Sequence, residues 1–599
     1  MNIVKYLFGI SLLASSLCLA LFSGEVGEKR RPAANVERIV FKETRPTLED
    51  KARRELIAER HYLRLPVKND GKVRRMTVAV NGKVERAFDI ELAEGTPDWW
   101  AFLDISKWRG KTLVVETSGL PNNSQALEAI DQGDDLKGAE NLYREAGRPR
   151  IHFSSKRGWL NDPNGLVYFE GEYHLFYQHN PYGVAWGNMH WGHAVAKDML
   201  HWKELDIALY PDKLGPMFSG SAVVDWNNTA GFGAKDKPPL VLIYTAAGDP
   251  AVQCLAYSND KGRTWTKYAG NPILKNISEG NRDPKVFWHE PTKRWIMSLY
   301  VGEPSKTEVD REGKQVVVHA IRFFSSPNLK DWTEHGKTEG FFECPDFFEL
   351  AVDGDPRKLK WVLTGASSEY MVGDFDGEKF TPETPKLPGH RGRGFYAAQT
   401  FNAIPSKDGR RIQIGWGQMP TPGMSFNQMM CFPCELNLVS TATGPRLTWR
   451  PAREIETLRR KTDRLAPQNL ADGDRLRVSV GDAPLEIRFE LEPGDVHEFV
   501  LEARGIPLRF NLRAGQLSIL NHKVPAPLVS GKLKATILVD RSSLEIFIGD
   551  GLSYVPFPAN PQESRRSVDL FTRLGKARLV SLEVNELDSI WPDGVRASR

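Results

Sequence analysis

The sequence predicts an all-β protein: a five-bladed β-propeller followed by a C-terminal β-sandwich and preceded by a small N-terminal β-sandwich-like module. Three observations carry this. An apolar strand recurs five times through the middle of the chain, at 174–177, 240–245, 295–300, 361–364 and 411–416. A polar turn ending in Trp follows at 197–202, 259–265 and 326–332, and 373–380 is a fourth copy with Phe in place of Trp. Short alternating runs fill both flanks, for example 76–80, 87–92 and 112–117 before the repeats and 485–491 and 543–548 after them. Five copies of one all-β unit imply radial repetition, because each blade buries its faces only against its neighbours.

The elements follow in order. Lys5 precedes an apolar run over 6–22, and polar sequence starts at Glu25. A basic start, a short apolar core and small residues near Ser23-Gly24 describe a secretory signal peptide over 1–24, hence a secreted or periplasmic protein with no membrane segment in its mature form. Lipid attachment at Cys18 is disfavoured by Leu17 before it. A charged linker covers 25–35, and the N-terminal module is expected over 36–118. Its Asn81-Gly82 pair, between two alternating runs, is a hairpin signal. Trp99 and Trp100 are adjacent, so on a strand they face opposite ways and at most one can offer a sugar platform. The module therefore reads as structural support before carbohydrate binding. Residues 119–147 are acidic with Ala and Leu and read as a linker with a helix. The propeller is expected over 148–448, a linker helix over 449–465, and the C-terminal sandwich over 466–590.

Composition narrows the function. The net charge of +4 is small for 599 residues and the basic residues are dispersed, which argues against a nucleic-acid partner. Cys254, Cys344, Cys431 and Cys434 are too few for a disulfide framework. The lone pair Cys431 and Cys434 lacks the second pair or nearby His that a zinc site needs. No metal or cofactor is called for.

A propeller's inner strands bring one residue per blade to a central funnel. Polar motifs should then recur at the blade period, and they do: Asp162, Ser219, Asp283, Glu343 and Gln399 follow at intervals of 57, 64, 60 and 56 residues. Taken alone, Asn161-Asp162-Pro163-Asn164-Gly165 reads as a turn, since all four residue types favour turns. Arg282 with Asp283 reads alone as a surface ion pair, and Glu343 as a solvated loop acid. The shared period argues against all three bland readings at once. Three converging carboxyl groups suit glycoside cleavage, in which one acid protonates the leaving oxygen and a second attacks the anomeric carbon or activates water. A third can stabilise positive charge and shift its neighbours' pKa.

The motifs, in order, resemble glycoside hydrolase family 32, the family of invertases, inulinases and levanases, over about residues 148–590. The segment Trp159-Leu160-Asn161-Asp162-Pro163-Asn164-Gly165 is similar to the family's nucleophile motif, with Leu160 where Met is common. The segments at 178–181, 186–193 and 218–221 resemble its fructose-pocket motifs. Arg282-Asp283-Pro284 resembles the motif of the transition-state stabiliser, and Glu343-Cys344-Pro345-Asp346 that of the acid/base; 395–400 and 414–416 complete the set. The resemblance implies a retaining mechanism, with Asp162 as nucleophile, Glu343 as acid/base and Asp283 as stabiliser. It implies that Asn161, Gln178, Ser219 and Arg282 hold fructose hydroxyls, and that Trp186, Phe218 and Trp416 wall the pocket. Many relatives carry an acid just before the Phe-Tyr-Ala segment; here that position is Gly394. The substrate implied is a β-fructan, levan or inulin, with sucrose as a further substrate. An invertase or fructosyltransferase acting mainly on sucrose is the alternative. Five-bladed arabinan hydrolases invert and lack this motif set, and a non-catalytic sugar-binding protein would have lost an acid. Oligomeric state is not legible.

Overall fold

The computed structural model describes residues 51–120, 124–234, 237–278 and 280–591. The expected signal peptide at 1–24, the linker at 25–35 and the start of the N-terminal module lie outside the described residues.

Five antiparallel sheets follow one another from 158 to 451, each meandering outward from an inner strand. The inner strands are Gly158–Phe169 (blade I), Met217–Val224 (II), Arg282–His289 (III), Asp346–Ala351 (IV) and Tyr396–Thr400 (V). The inner strands of blades I and II, II and III, IV and V, and V and I lie against each other, and blades III and IV share an apolar core that holds Phe287 and Phe347. The ring closes through Phe426–Asn427, a short strand after the first hairpin of blade V that pairs in parallel with Gly158 and Trp159 of blade I. Strands inside the blades are covered on both faces. His190–Ala196 and Leu240–Ala246 are buried at every position, which is why the sequence at 240–244 reads as an unbroken apolar run instead of alternation.

The recurring aromatic turn has a common backbone cause. The residue three before each aromatic takes left-handed φ: Met199 at 61°, Gly262 at 75°, Leu329 at 62° and Gly377 at 101°. In two copies the indole closes the turn, Trp265 Nε1 donating to Gly262 O and Trp332 Nε1 to Leu329 O, each at 3.1 Å. Phe380 has no donor and is instead packed against Phe347. The repeat is thus a turn-forming unit that feeds the fourth strand of a blade.

The C-terminal sandwich packs a seven-stranded sheet on a six-stranded one around its own apolar core. The N-terminal module is a smaller sandwich. One sheet has the order Lys51–Ile57, Thr112–Ser118, Arg74–Val80, Lys83–Ile90, and the other the order Trp99–Asp104, Tyr62–Val67, Asp131–Gly133.

Two expectations for the connecting segments need correction. Residues 119–147 are not only a linker with a helix. The helix is a single turn, Gln125–Glu128, and Asp131–Gly133 is a strand of the module, held by Arg64, which donates to Asp131 at 2.8 Å. The expected linker helix over 449–465 is a six-residue 3₁₀ helix, Arg453–Leu458, flanked by the last strand of blade V and by Arg459–Leu465, the first strand of the sandwich. The apolar spacing of Ile455 and Leu458 fits a 3₁₀ turn as well as an α turn.

Propeller and sandwich share one core, in which Phe395, Trp449, Phe547, Tyr554 and Trp591 are all buried. Cys431 and Cys434 are buried free thiols within it. At its centre His152 bridges two acids of the sandwich: Nδ1 is 2.8 Å from Asp540 and Nε2 is 3.0 Å from Glu545. Glu545 also accepts from Phe432 N and Tyr554 OH, and Asp540 from the Arg150 and Ile151 amides. Burial opposes charging the imidazole, but the hydrogen bonds of the two acids outweigh it and push His152 up to about 9. A raised folded pKa contributes stability that is whole below the unfolded value near 6.5 and lost as pH rises through about 9. We therefore expect urea unfolding to lose stability on the order of 3 kcal/mol between pH 6.5 and 10. A flat profile over that range would refute the bridge.

Candidate active site

Five of the candidate side chains sit at breaks in their blades' ladders. Pairing of the inner strand skips between Leu160 and Pro163 in blade I, Met217 and Gly220 in II, Arg282 and Lys285 in III, and Tyr396 and Gln399 in V. Asn161, Asp162, Phe218, Ser219 and Asp283 lie inside these breaks. In an unbroken strand successive side chains would alternate between the two neighbouring blades. A bulge re-aims them, here toward the funnel. The turn expected at 161–165 is therefore absent: the segment is strand, and its turn-favouring residues serve two bulges. Gly165 has φ of 54°, and a Cβ there would lie 2.7 Å from the Phe176 ring. Blade IV bends the backbone before its inner strand, with φ of 49° at Glu343 and 39° at Cys344; Asp283 takes 64°. Each non-glycine residue in this region costs on the order of 1–3 kcal/mol, held by surrounding packing. For Asp283 the hold includes its amide, which donates to Thr245 Oγ1 at 3.0 Å.

The three acids form one connected set. Asp162 accepts from Ser219 Oγ (2.6 Å) and Asn161 Nδ2 (3.0 Å), and lies 3.6 Å from Cys344 Sγ. The same sulfur is 3.5 Å from Asp283 Oδ2, which also accepts from the Cys344 amide at 3.1 Å. Arg282 lies 3.8 Å from Asp283 and donates to Glu343 Oε1 through Nε at 3.1 Å, with a second guanidinium nitrogen on the same oxygen. Tyr396 OH donates to Glu343 Oε2 at 2.8 Å.

Burial and crowding set the charge of this set. Burial pushes Asp283 up to about 7, against the Arg282 guanidinium and with help from the charges of Glu343 and Asp162. Burial also raises Asp162, reinforced by Glu343 and opposed by the bonds from Ser219 and Asn161. Burial would lower Arg282, but the charges of Asp283 and Glu343 reverse that and hold it above its ordinary value. Asp283 and Glu343 face one guanidinium, and Asp162 joins them through the Cys344 thiol, so the cluster keeps a proton near neutrality, and that proton belongs to the set.

The other expected site residues surround these acids. Asn164, its amide oxygen turned to Gln178, accepts from Gln178 Nε2 at 3.0 Å and donates to Ser219 Oγ at 3.3 Å. Trp186 is half exposed and meets Phe218 edge-on at 6.1 Å. Trp416 packs edge-on against Trp159 at 5.9 Å and Tyr396 at 6.2 Å, and Trp159 Nε1 donates to Asn161 at 2.9 Å. Beside Glu343, the exposed Phe342 ring rests on Tyr300 and His319, an apolar ledge suited to a sugar ring. Gln399 does not join the acids; its Nε2 donates to Gly220 O at 3.0 Å.

Sequence reasoning missed Cys344, which touches two of the acids, and Tyr396, which touches the third. Tyr396 lay inside a recognised segment, but the blade period aligned Gln399 instead. At Gly394, where many relatives carry an acid, a Cβ would sit 2.6 Å from Met419 Cε and 3.2 Å from Pro558 of the sandwich, so Met419 and Pro558 occupy the space beside it.

Residues 152–451 match the N-terminal domain model of glycosyl hydrolases family 32, and 454–586 match the family's C-terminal model. The chain is 39% identical over 500 residues to a levanase of Bacillus subtilis (strain 168), covering 75% of this chain and 72% of that protein. It is 31% identical over 537 residues to an extracellular exo-inulinase of Aspergillus ficuum, covering 75% and 96% respectively. The crystal structure of an exo-inulinase from Aspergillus awamori superposes with a TM-score of 0.67 at 28% identity, over 75% of this chain and all of that one.

Proposed function

The chain belongs to family 32 of the glycosyl hydrolases, and we propose that it releases fructose from β-fructans, levan or inulin, and from sucrose, with retention of configuration. The observation that carries this reading is the connected set of three acids, Asp283 buried and Asp162 and Glu343 half-buried, linked through the Cys344 thiol and the Arg282 guanidinium. One acid must be ionised to attack and another must hold a proton. A crowded, desolvated cluster that keeps a proton near neutral pH supplies both forms.

In this reading the Asp162 carboxylate attacks C2 of the terminal β-fructofuranosyl unit, already aligned by Ser219 and Asn161. Glu343 gives its proton to the leaving oxygen as the C2–O bond breaks. It then takes a proton from water, whose oxygen displaces Asp162 and frees fructose. Asp283 and Arg282 bind sugar hydroxyls and offset the positive charge that develops on the ring. Asn161, Gln178 and Ser219 hold the remaining hydroxyls, and Trp186, Phe218 and Trp416 wall the pocket. Export is part of the same reading. A polymer cannot enter the cell, the Aspergillus ficuum relative is extracellular, and the first 24 residues read as a signal peptide.

Product analysis on levan, inulin and sucrose tests the proposal. We expect free fructose from at least one, with β-fructose as the first anomer in time-resolved NMR. The α anomer appearing first would reject the retaining assignment, and no fructose from any of the three would reject the activity.

A further inference from the structure

The N-terminal module precedes the segment that matches the family model, yet it reaches into the active-site wall. The contact is with the loop 181–188, which joins the second and third strands of blade I and carries Trp186. Tyr182, near the start of this loop, is fully buried, and its neighbours belong to the core of the module. Phe88 of the module stacks on the Tyr182 ring at 3.8 Å between centroids. Val184 packs partly against the same core. At the other end of the loop, Asn188 makes a two-bond bridge to the module. Its Oδ1 accepts from the Asp89 amide and its Nδ2 donates to the Asp89 carbonyl, both at 2.8 Å. Asn188 thus pairs side-on with strand Lys83–Ile90 of the module as another strand would.

The propeller holds the opposite side of the loop. Asn180 Nδ2 donates to Ala185 O at 2.9 Å, and Asn180 Oδ1 accepts from Tyr182 N and Asn188 Nδ2. Asn427 Nδ2, on the strand that closes the ring, donates to Val184 O at 2.9 Å. Trp186 sits between the two anchored ends with half its surface exposed, set against Phe218, whose neighbour Ser219 bonds Asp162. On the propeller side the His190 ring meets Tyr182 edge-on at 5.6 Å, while the ring stacked on its face belongs to the module.

We infer that the N-terminal module is a clamp on this loop: Phe88 and Asn188 are positioning residues that hold Trp186 at the fructose pocket. The module's own aromatic pair argues against a sugar-binding role. Trp99 is buried, and the face of Trp100 carries the Lys137 ammonium at 3.6 Å. This inference rests on the proposed activity for its kinetic readout only.

The test uses the full-length protein with Phe88→Ala. We expect KM for sucrose to rise about tenfold with kcat changed by less than about twofold, because a displaced wall weakens binding more than chemistry. Amides of 181–188 should exchange with deuterium at least about tenfold faster than in the parent protein, since the loop loses the cover on one side. A purely structural module would lower thermal stability and leave KM and loop exchange unchanged. Should Phe88→Ala fail to fold, Phe88→Leu keeps an apolar side chain in the module's core and loses the ring stacked on Tyr182, and about a threefold rise in KM is expected. A folded variant of either kind with parental KM and parental exchange overturns the clamp. If the parent protein cleaves no β-fructofuranoside, the proposed function fails, while the exchange rates still decide the clamp.

Discussion

Asp162→Asn lowers kcat on sucrose and on fructan by about 10⁴-fold or more, the scale of losing a covalent nucleophile. The size of the loss follows from the geometry around one side chain. Asn has the shape of Asp and still presents one acceptor oxygen to Ser219 or Asn161, but it cannot form the ester to C2. Stability moves the other way. Burial raises the pKa of Asp162, so its charged form is disfavoured by the fold, and a neutral amide removes that penalty. We therefore expect a thermal midpoint equal to or above that of the parent, measured on the same preparation that shows the lost activity. A variant that keeps full activity would reject Asp162 as nucleophile. A variant that loses activity together with a large drop in the midpoint would instead assign Asp162 a structural role.

That Asp162 could be singled out from sequence at all depends on the repeat. Locally its segment carries a turn composition, and the local reading is wrong because a bulged strand uses the same residue types as a turn. Both need backbone that departs from regular β geometry, and Gly165 serves that need here. Only the blade period, a non-local signal, placed Asp162 beside Asp283 and Glu343. The period has limited resolution. It aligned Gln399, although Tyr396, three residues earlier on the same bulged strand, is the residue that touches Glu343. Which residue of a bulge faces the funnel is set by the ladder break, which no spacing rule reports. The connecting segments were harder for a related reason. Asp131–Gly133 is a three-residue strand fixed by long-range pairing to Tyr62–Val67, and so short a strand has no period of its own. The role of 181–188 was hidden because Tyr182 and Asn188 meet partners about a hundred residues away in a module outside the recognised motifs.

Glu343→Gln should divide the two chemical steps in a way that Asp162→Asn cannot. Both guanidinium donors of Arg282 fall on Oε1 of Glu343, so the acid form carries its proton on Oε2, where the Tyr396 hydroxyl turns from donor to acceptor. Burial, reinforced by the Glu343 charge, raises Tyr396 far above its ordinary range, so this hydroxyl stays protonated and cannot itself replace the acid. Gln keeps the bond from Arg282 and loses only the proton. With sucrose, whose leaving alkoxide needs that proton, kcat should fall by about 10²–10⁴-fold. With p-nitrophenyl β-fructofuranoside the leaving phenolate departs unaided, so the first step survives and the fructosyl ester on Asp162 accumulates for want of a base to activate water. Azide needs no base. Added azide should therefore restore turnover of the aryl substrate and yield β-fructosyl azide, the configuration that two successive displacements at C2 require. Equal losses on both substrates, with no azide product, would remove Glu343 from the acid/base role and leave Asp283, pushed up to about 7 by burial, as the next acid to test.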